Sequence, residues 1–250
     1  MQIAIQGKVW VYERDGSGNP INGFYVGFTE SAALDLSTSV EEYVEADSGN
    51  SLTAARITTE KKSNFNMEMR ELDENTAGLV LHGTTSTVAS GTVTDEALPA
   101  TVTLNRANKL SKGNITGSVV VVDSTGSPKT LPANQYQWNK QGSIVVLDKT
   151  TGGPYVEPFK VSYAHGGTKD IAIFASPQPE RYIVIEGINL ADNNKPVTAE
   201  LYRVALDPAQ SFPLKGRGLS SYRLAGAALL DSTKPAGGDL GQFGRLRLPG

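Results

Sequence analysis

The chain contains no cysteine. That excludes a disulfide framework, a thiolate-bound zinc or iron–sulfur centre, and a thiol nucleophile. Histidine is nearly absent too. His82 and His165 are too few for a three-histidine metal site. No charge sign dominates, because 23 Lys and Arg stand against 26 Asp and Glu, a net charge of −3. Such a chain has no basic stripe with which to hold duplex DNA by its phosphates. No run of branched aliphatics is longer than Val119–Val122, far below the ~20 apolar residues of a membrane-spanning helix. Residues 1–10 hold too short an apolar stretch for a signal peptide, and Glu13 and Asp15 follow soon after. The expectation is a soluble protein made in the cytoplasm.

The familiar catalytic signatures are missing as well. There is no G-x-x-x-x-G-K-[ST], no complete G-x-G-x-x-G, no G-x-S-x-G and no H-E-x-x-H. Gly216-Arg217-Gly218 is a fragment whose third glycine would fall at Ser221. His82 follows a predicted helix and His165 opens a predicted turn, so each reads as a surface or capping residue. Neither lies in a pattern that sets a base beside a nucleophile. Asn114-Ile115-Thr116 matches a glycosylation triplet, but no secretion signal accompanies it. Trp10 and Trp138 are a thin supply for sugar-stacking platforms. Neither an enzyme nor a cofactor is expected.

What is present is a rhythm. Short β-branched and aromatic stretches lie at Ile3–Tyr12, Phe24–Thr29, Ile115–Val122, Ile144–Leu147, Phe159–Tyr163, Ile171–Phe174, Tyr182–Ile188 and Val197–Leu206. Between them sit Gly, Pro, Asn and Asp clusters that favour turns. This predicts an all-β chain, an antiparallel sandwich or barrel. From Lys62 to Arg70, Phe65, Met67 and Met69 alternate with Asn64, Asn66, Glu68 and Arg70, giving a dry and a wet face. Tyr182–Ile188 reads as covered on both sides. One helix is expected, Glu71–Leu81, with Leu72, Thr76, Leu79 and Val80 on one face and acids in its first turn. Ser39–Ala46 reads as a strand running into a loop, and Leu219–Leu230 as a strand. The whole is expected to be one domain, 1–250. Thr84–Thr94 would be a Ser/Thr/Gly-rich connection, and 234–250 a loop-like tail.

Glu41–Thr84 resembles the N-terminal half of the major tail tube proteins of long-tailed bacteriophages. The residues that carry the likeness are Ser48-Gly49, Phe65-Met67-Met69, Asp73-Glu74-Asn75, Leu79–Leu81 and Gly83-Thr84. Downstream, Tyr136-x-Trp138, Val161-Ser162-Tyr163, Glu186–Asn189 and Ala199–Val204 are similar to the family's second half. Leu224–Asp231 resembles its last core strand. The resemblance implies a β-sandwich flanked by one short helix, with six copies closing a ring. Rings would stack into a hollow virion tail tube through which DNA passes without specific binding. It implies partners as well: copies of itself, a tape-measure protein, a baseplate or tail-tip initiator, a tail terminator, and a sheath if the tail contracts. No cofactor, metal or membrane is implied.

On that resemblance, Lys62, Asn64, Asn66, Glu68 and Arg70, with part of Phe24–Ser39, are expected to face the lumen. Glu41, Glu42, Glu45, Asp47 and Arg56, in a polar loop 41–56, are expected to touch the adjacent ring. Two alternatives stay open at this point. One is a related tail terminator, tail-completion or injection-device protein; the other is a β-sandwich carbohydrate-binding or adhesin module.

Overall fold

The computed structural model describes residues 2–47, 49–237 and 241–249. The first strands are β1 (Ile5–Arg14), β2 (Pro20–Tyr25), β3 (Thr29–Val44) and β4 (Thr53–Met69). Helix α1 (Glu74–Val80) and β5 (Thr84–Val88) follow. Then come β6 (Gly91–Ala97), β7 (Ala107–Lys109), β8 (Val120–Val122), β9 (Tyr136–Trp138), β10 (Ser143–Val146) and β11 (Lys160–His165). The chain ends with β12 (Thr168–Ala172), β13 (Glu180–Asn189), β14 (Lys195–Leu206), β15 (Tyr222–Ala228) and β16 (Gly244–Arg247). The fold is all-β with antiparallel sheets and, among the described residues, one α-helix and no closed barrel.

Where one domain was expected, the chain forms two compact units, Met1–Thr85 with Ile171–Gly250, and Ser86–Asp170. The expected connection at Thr84–Thr94 is strand: β5 pairs with β12, and β6 pairs with β11. Thr and Val in that stretch are β-branched and fit a pleat, so a composition that reads as loop is taken up by pairing.

The first unit is one eight-stranded sheet in the order β2-β1-β13-β14-β15-β4-β3, with β16 also on β14. β14 meets β15 only at Val204–Leu206 and β16 at Thr198–Leu201, so the sheet splays there and bends. Val9 and Val11 of β1 therefore share one core with Ile183, Val204, Leu206, Leu224, Phe65, Met67 and Met69. Leu79 and Val80 of α1 join it. On the other side of β1, β13 and β14, Tyr182, Val184 and Tyr202 pack with Trp10 and Tyr12. That explains why Tyr182–Val184 is buried on both faces, while Glu186 and Ile188 beyond it are exposed. The expected strand Phe24–Thr29 is broken because Gly27 takes φ +81°, which ends β2 and redirects the chain into β3.

Helix α1 is shorter than expected. Asp73 is its cap: its carboxylate accepts from Thr76 N at 2.7 Å, leaving Glu71 and Leu72 outside. Glu71 instead accepts from the Phe28 amide at 3.0 Å. The expected tail loop also gains a strand, because β16 pairs with β14 and Arg245 reaches buried Glu200 at 2.5 Å. Gly238 of that tail and Ser48 of Ser48-Gly49 lie outside the described residues.

The second unit sets two three-stranded sheets, β7-β10-β9 and β6-β11-β8, around a core that includes Leu110, Ile115, Ile144, Phe159, Val161 and Tyr163. Several of its polar groups are paired within the unit, although the buried Gln135 Oε1 has no partner among the described residues. Tyr163 donates to Glu96 at 2.6 Å, and Asp123 accepts from the Lys129 amide at 2.7 Å. The expected strand Ile115–Val122 survives only as β8, with Ile115 in an isolated bridge to His165.

Surface or capping roles were expected of both histidines; both are buried, but His82 does cap α1, with φ +45° and its amide donating to the Leu79 carbonyl at 3.3 Å. His82 is buried, its Nε2 lying 3.1 Å from the Leu206 carbonyl and its ring edge-on to Phe174. His165 ends β11 rather than opening a turn and is also buried. For His82 the covering group comes from far away in sequence, whereas the His165 Nδ1 lies 3.2 Å from the carbonyl of its neighbour Gly166.

Candidate functional site

β4 supplies the site's geometry. Its odd-numbered residues from Ser63 to Met69 are buried against the core, so the pleat turns Lys62, Asn64, Asn66 and Glu68 to the opposite face. Arg70 follows on the same parity, just past the strand end, and is exposed. The five residues expected to line a lumen therefore do share one surface.

The ladder brings others to them. Ser31, Ala33, Asp35, Ser37 and Ser39 of β3 lie opposite or beside these β4 residues, and Arg223, Ala225 and Ala227 of β15 flank the other side. Short side chains keep most of this face flat. Charges are paired within it: Arg70 Nε meets Glu30 at 2.7 Å, and Lys62 Nζ meets Glu60 at 2.9 Å. Asn66 donates to Asp35 at 2.7 Å and accepts from Arg223 at 3.0 Å. The Arg70 hydrogen bond holds the Glu30 carboxyl below its ordinary range, and Lys62 does the same for Glu60. Lys62, Arg70 and Arg223 stand against Glu30, Asp35, Glu60 and Glu68, three bases to four acids. Such a face offers phosphates hydrogen bonds but no net attraction.

The expected contact loop is corrected in part. Glu41 and Glu42 belong to β3 and Arg56 to β4, and only Glu45 and Asp47 lie in the turn between. The strands pair up to Val44↔Thr53, with Glu42 opposite Arg56 and ion-paired at 3.5 Å. Residues 36–44 and 53–60 thus form a two-stranded arm, exposed on nearly all of both faces. The strand expected in Ser39–Ala46 is present as the end of β3, but its partner Thr53–Glu60 has no dry face to mark it as strand. Glu30 and Asp35 lie in the segment Phe24–Ser39, part of which was expected to share this face, but Arg223 was missed. Only the pairing register across 31 to 157 residues of chain brings Asp35 and Arg223 to Asn66.

Among the described residues, no group of three or more His, Asp or Glu side chains converges as a metal site would require. Among the described residues no helix is long and apolar enough to cross a membrane.

The architecture is thus that of an antiparallel all-β protein carrying a polar, charge-balanced sheet face. A family profile described as "Protein of unknown function UCP028589" matches residues 2–247, and the chain belongs to that family. A comparison with curated proteins returns no match.

Proposed function

We propose that this protein is a structural subunit whose copies assemble into stacked rings and form a hollow tube, as the resemblance to phage tail tube proteins implies. The observation that carries the reading is the open end of the eight-stranded sheet. β3 is a 16-residue edge strand, exposed along almost its whole length, with the flat polar face beside it. A long bare edge on a soluble chain invites another strand. The sheet's other end, β2, is a second edge. Joining β3 of one copy to β2 of the next, around a closed ring, would remove both of these edges at once.

In this reading the polar face lines the channel and DNA slides past a surface that does not attract it. The protein is made in the host cytoplasm, ends in the virion tail, catalyses nothing and takes no cofactor. A tape-measure protein, an initiator and a terminator set the tube's length and ends. Electron microscopy of the purified, concentrated chain tests the reading. Hollow filaments with six-fold rings in axial views are the expected result. A chain that stays monomeric by sedimentation from micromolar to millimolar concentration, with no rings in micrographs, overturns it.

A further inference from the structure

The segment between β14 and β15, residues 207–221, stands beside the polar face and bounds an open groove of about 570 Å³, with Asn66 and Arg223 on its other side. This segment carries the two most exposed large apolar side chains among the described residues, Leu214 at 87% and Leu219 at 85%. It is also basic. Residues 207–223 contain Lys215, Arg217 and Arg223 against the single acid Asp207. Lys215 and Arg217 have no ion-pair partner among the described residues.

The tip of the β3–β4 arm is its counterpart. Residues 40–57 hold four acids, Glu41, Glu42, Glu45 and Asp47, against Arg56 alone. Tyr43, Val44, Leu52 and Ile57 are at least half exposed there. Opposite charge with apolar surface on both sides is the pattern that fixes register between partners.

Within one chain the two cannot meet. Tyr222, which follows the 207–221 segment, pairs with Met69 at the root of β4, whereas Thr53 begins β4 at the tip. From Thr53 to Asn66 the strand rises ~3.3 Å per residue, roughly 40 Å in all. Between copies that point the same way, such a contact is heterologous, repeats along the strand's direction and builds a stack.

We infer that the arm tip of one copy seats in the 207–221 groove of the next copy along the stack, with Glu41 and Glu42 facing Lys215 and Arg217. Leu214 and Leu219 cover the apolar residues of the tip. This rests on the tube reading above and assigns the axial contact to named residues.

Because the chain has no cysteine, the test starts clean. Glu42→Cys and Lys215→Cys chains are mixed in equal amounts, oxidised mildly and resolved on non-reducing gels, with the junction identified by mass spectrometry. A disulfide between position 42 of one chain and position 215 of the other is the expected product. A second arm uses charge. Glu41→Lys with Glu42→Lys should lower filament mass at least tenfold while the thermal melt of the unassembled chain stays unchanged. Adding Lys215→Glu and Arg217→Glu should restore it. Filaments that form with neither cross-link nor rescue overturn the arm–groove contact and leave the tube reading standing. Cross-linked pairs without filaments support the contact and overturn the tube. Absence of both overturns both.

Discussion

Asn66 on β4 donates through Nδ2 to Asp35 on β3 at 2.7 Å, tying two strands together on the polar face. Its Oδ1 accepts from Arg223 of β15 at 3.0 Å, so three adjacent strands are joined at one side chain. None of these groups is deeply buried, and exchanging Asn66 for cysteine should cost about 1 kcal/mol or less. The position is therefore a usable reporter. If the face lines a channel, a bulky thiol reagent should modify Asn66→Cys in the unassembled chain and fail to do so once tubes have formed. Asn64→Cys lies on the same face and outside the groove, and should behave alike. Equal labelling of both sites before and after assembly would remove this face from the lumen.

The two faces of β4 should respond differently to truncation. Phe65 is 1% exposed, in the core shared by β1, β4, β13, β14 and β15. Phe65→Ala should cost ~3–5 kcal/mol through lost burial and the cavity left behind. Its neighbour Asn64 is exposed and should tolerate alanine within ~0.5 kcal/mol. Urea midpoints of the unassembled variants compare them directly, and similar losses at the two positions would contradict the face assignment.

How much of this was readable beforehand depends on whether a segment has a dry side. Phe65, Met67 and Met69 announce their strand because every second residue is buried. Thr76, Leu79 and Val80 announce α1 because their helical spacing gives it a dry side as well. The arm beyond Ser63 has no dry side, so its acids looked like a loop although β3 and β4 pair there. Asp35 and Arg223 sit in segments with no charge pattern of their own, and only strand order brings them to Asn66. His82 looked superficial because the Leu206 carbonyl that meets it is 124 residues away. The separation into two units was partly visible as a change of composition near residue 84. Its return point at Ile171 carried no such mark.

The short helix depends on its cap. Asp73 accepts both the amide and the hydroxyl of Thr76, at 2.7 and 2.5 Å. α1 has only seven residues and a central glycine, Gly78, so little propensity holds it without that cap. Asp73→Ala should cost ~1 kcal/mol, and Asp73→Asn, also a good capping residue, much less. Thermal melts of the two variants provide the comparison. Equal losses would mean that the charge, and not the capping hydrogen bond, is what matters.

The last expectation concerns acid. Arg203 grips Glu180 through Nε at 2.8 Å and Nη2 at 2.7 Å, and Arg14 lies 3.8 Å from the same carboxylate. The Arg203 hydrogen bonds hold the Glu180 carboxyl below its ordinary range, and the charges of Arg203 and Arg14 add to the effect. Asp231 moves the same way. Burial pushes its carboxyl up, but the Thr233 hydroxyl and amide and the nearby Arg14 outweigh that. A carboxyl whose folded pKa is depressed binds protons more weakly folded than unfolded. Its contribution is complete above the unfolded value, about 4.3 for Glu and 3.9 for Asp, and is lost as pH falls through the folded value. The melting temperature should therefore be nearly flat from pH 7 to 5 with respect to these groups and fall below about pH 4. The Glu180 side chain is 39% exposed, so water screens it and the effect of this group should be modest. Glu180→Gln should lower the melting temperature at pH 7 and flatten the decline between pH 4 and the folded pKa. Parallel curves for parent and variant across that window would show that the Arg203–Glu180 pair adds no acid-sensitive stability, leaving buried Asp231 with Arg14 as its source.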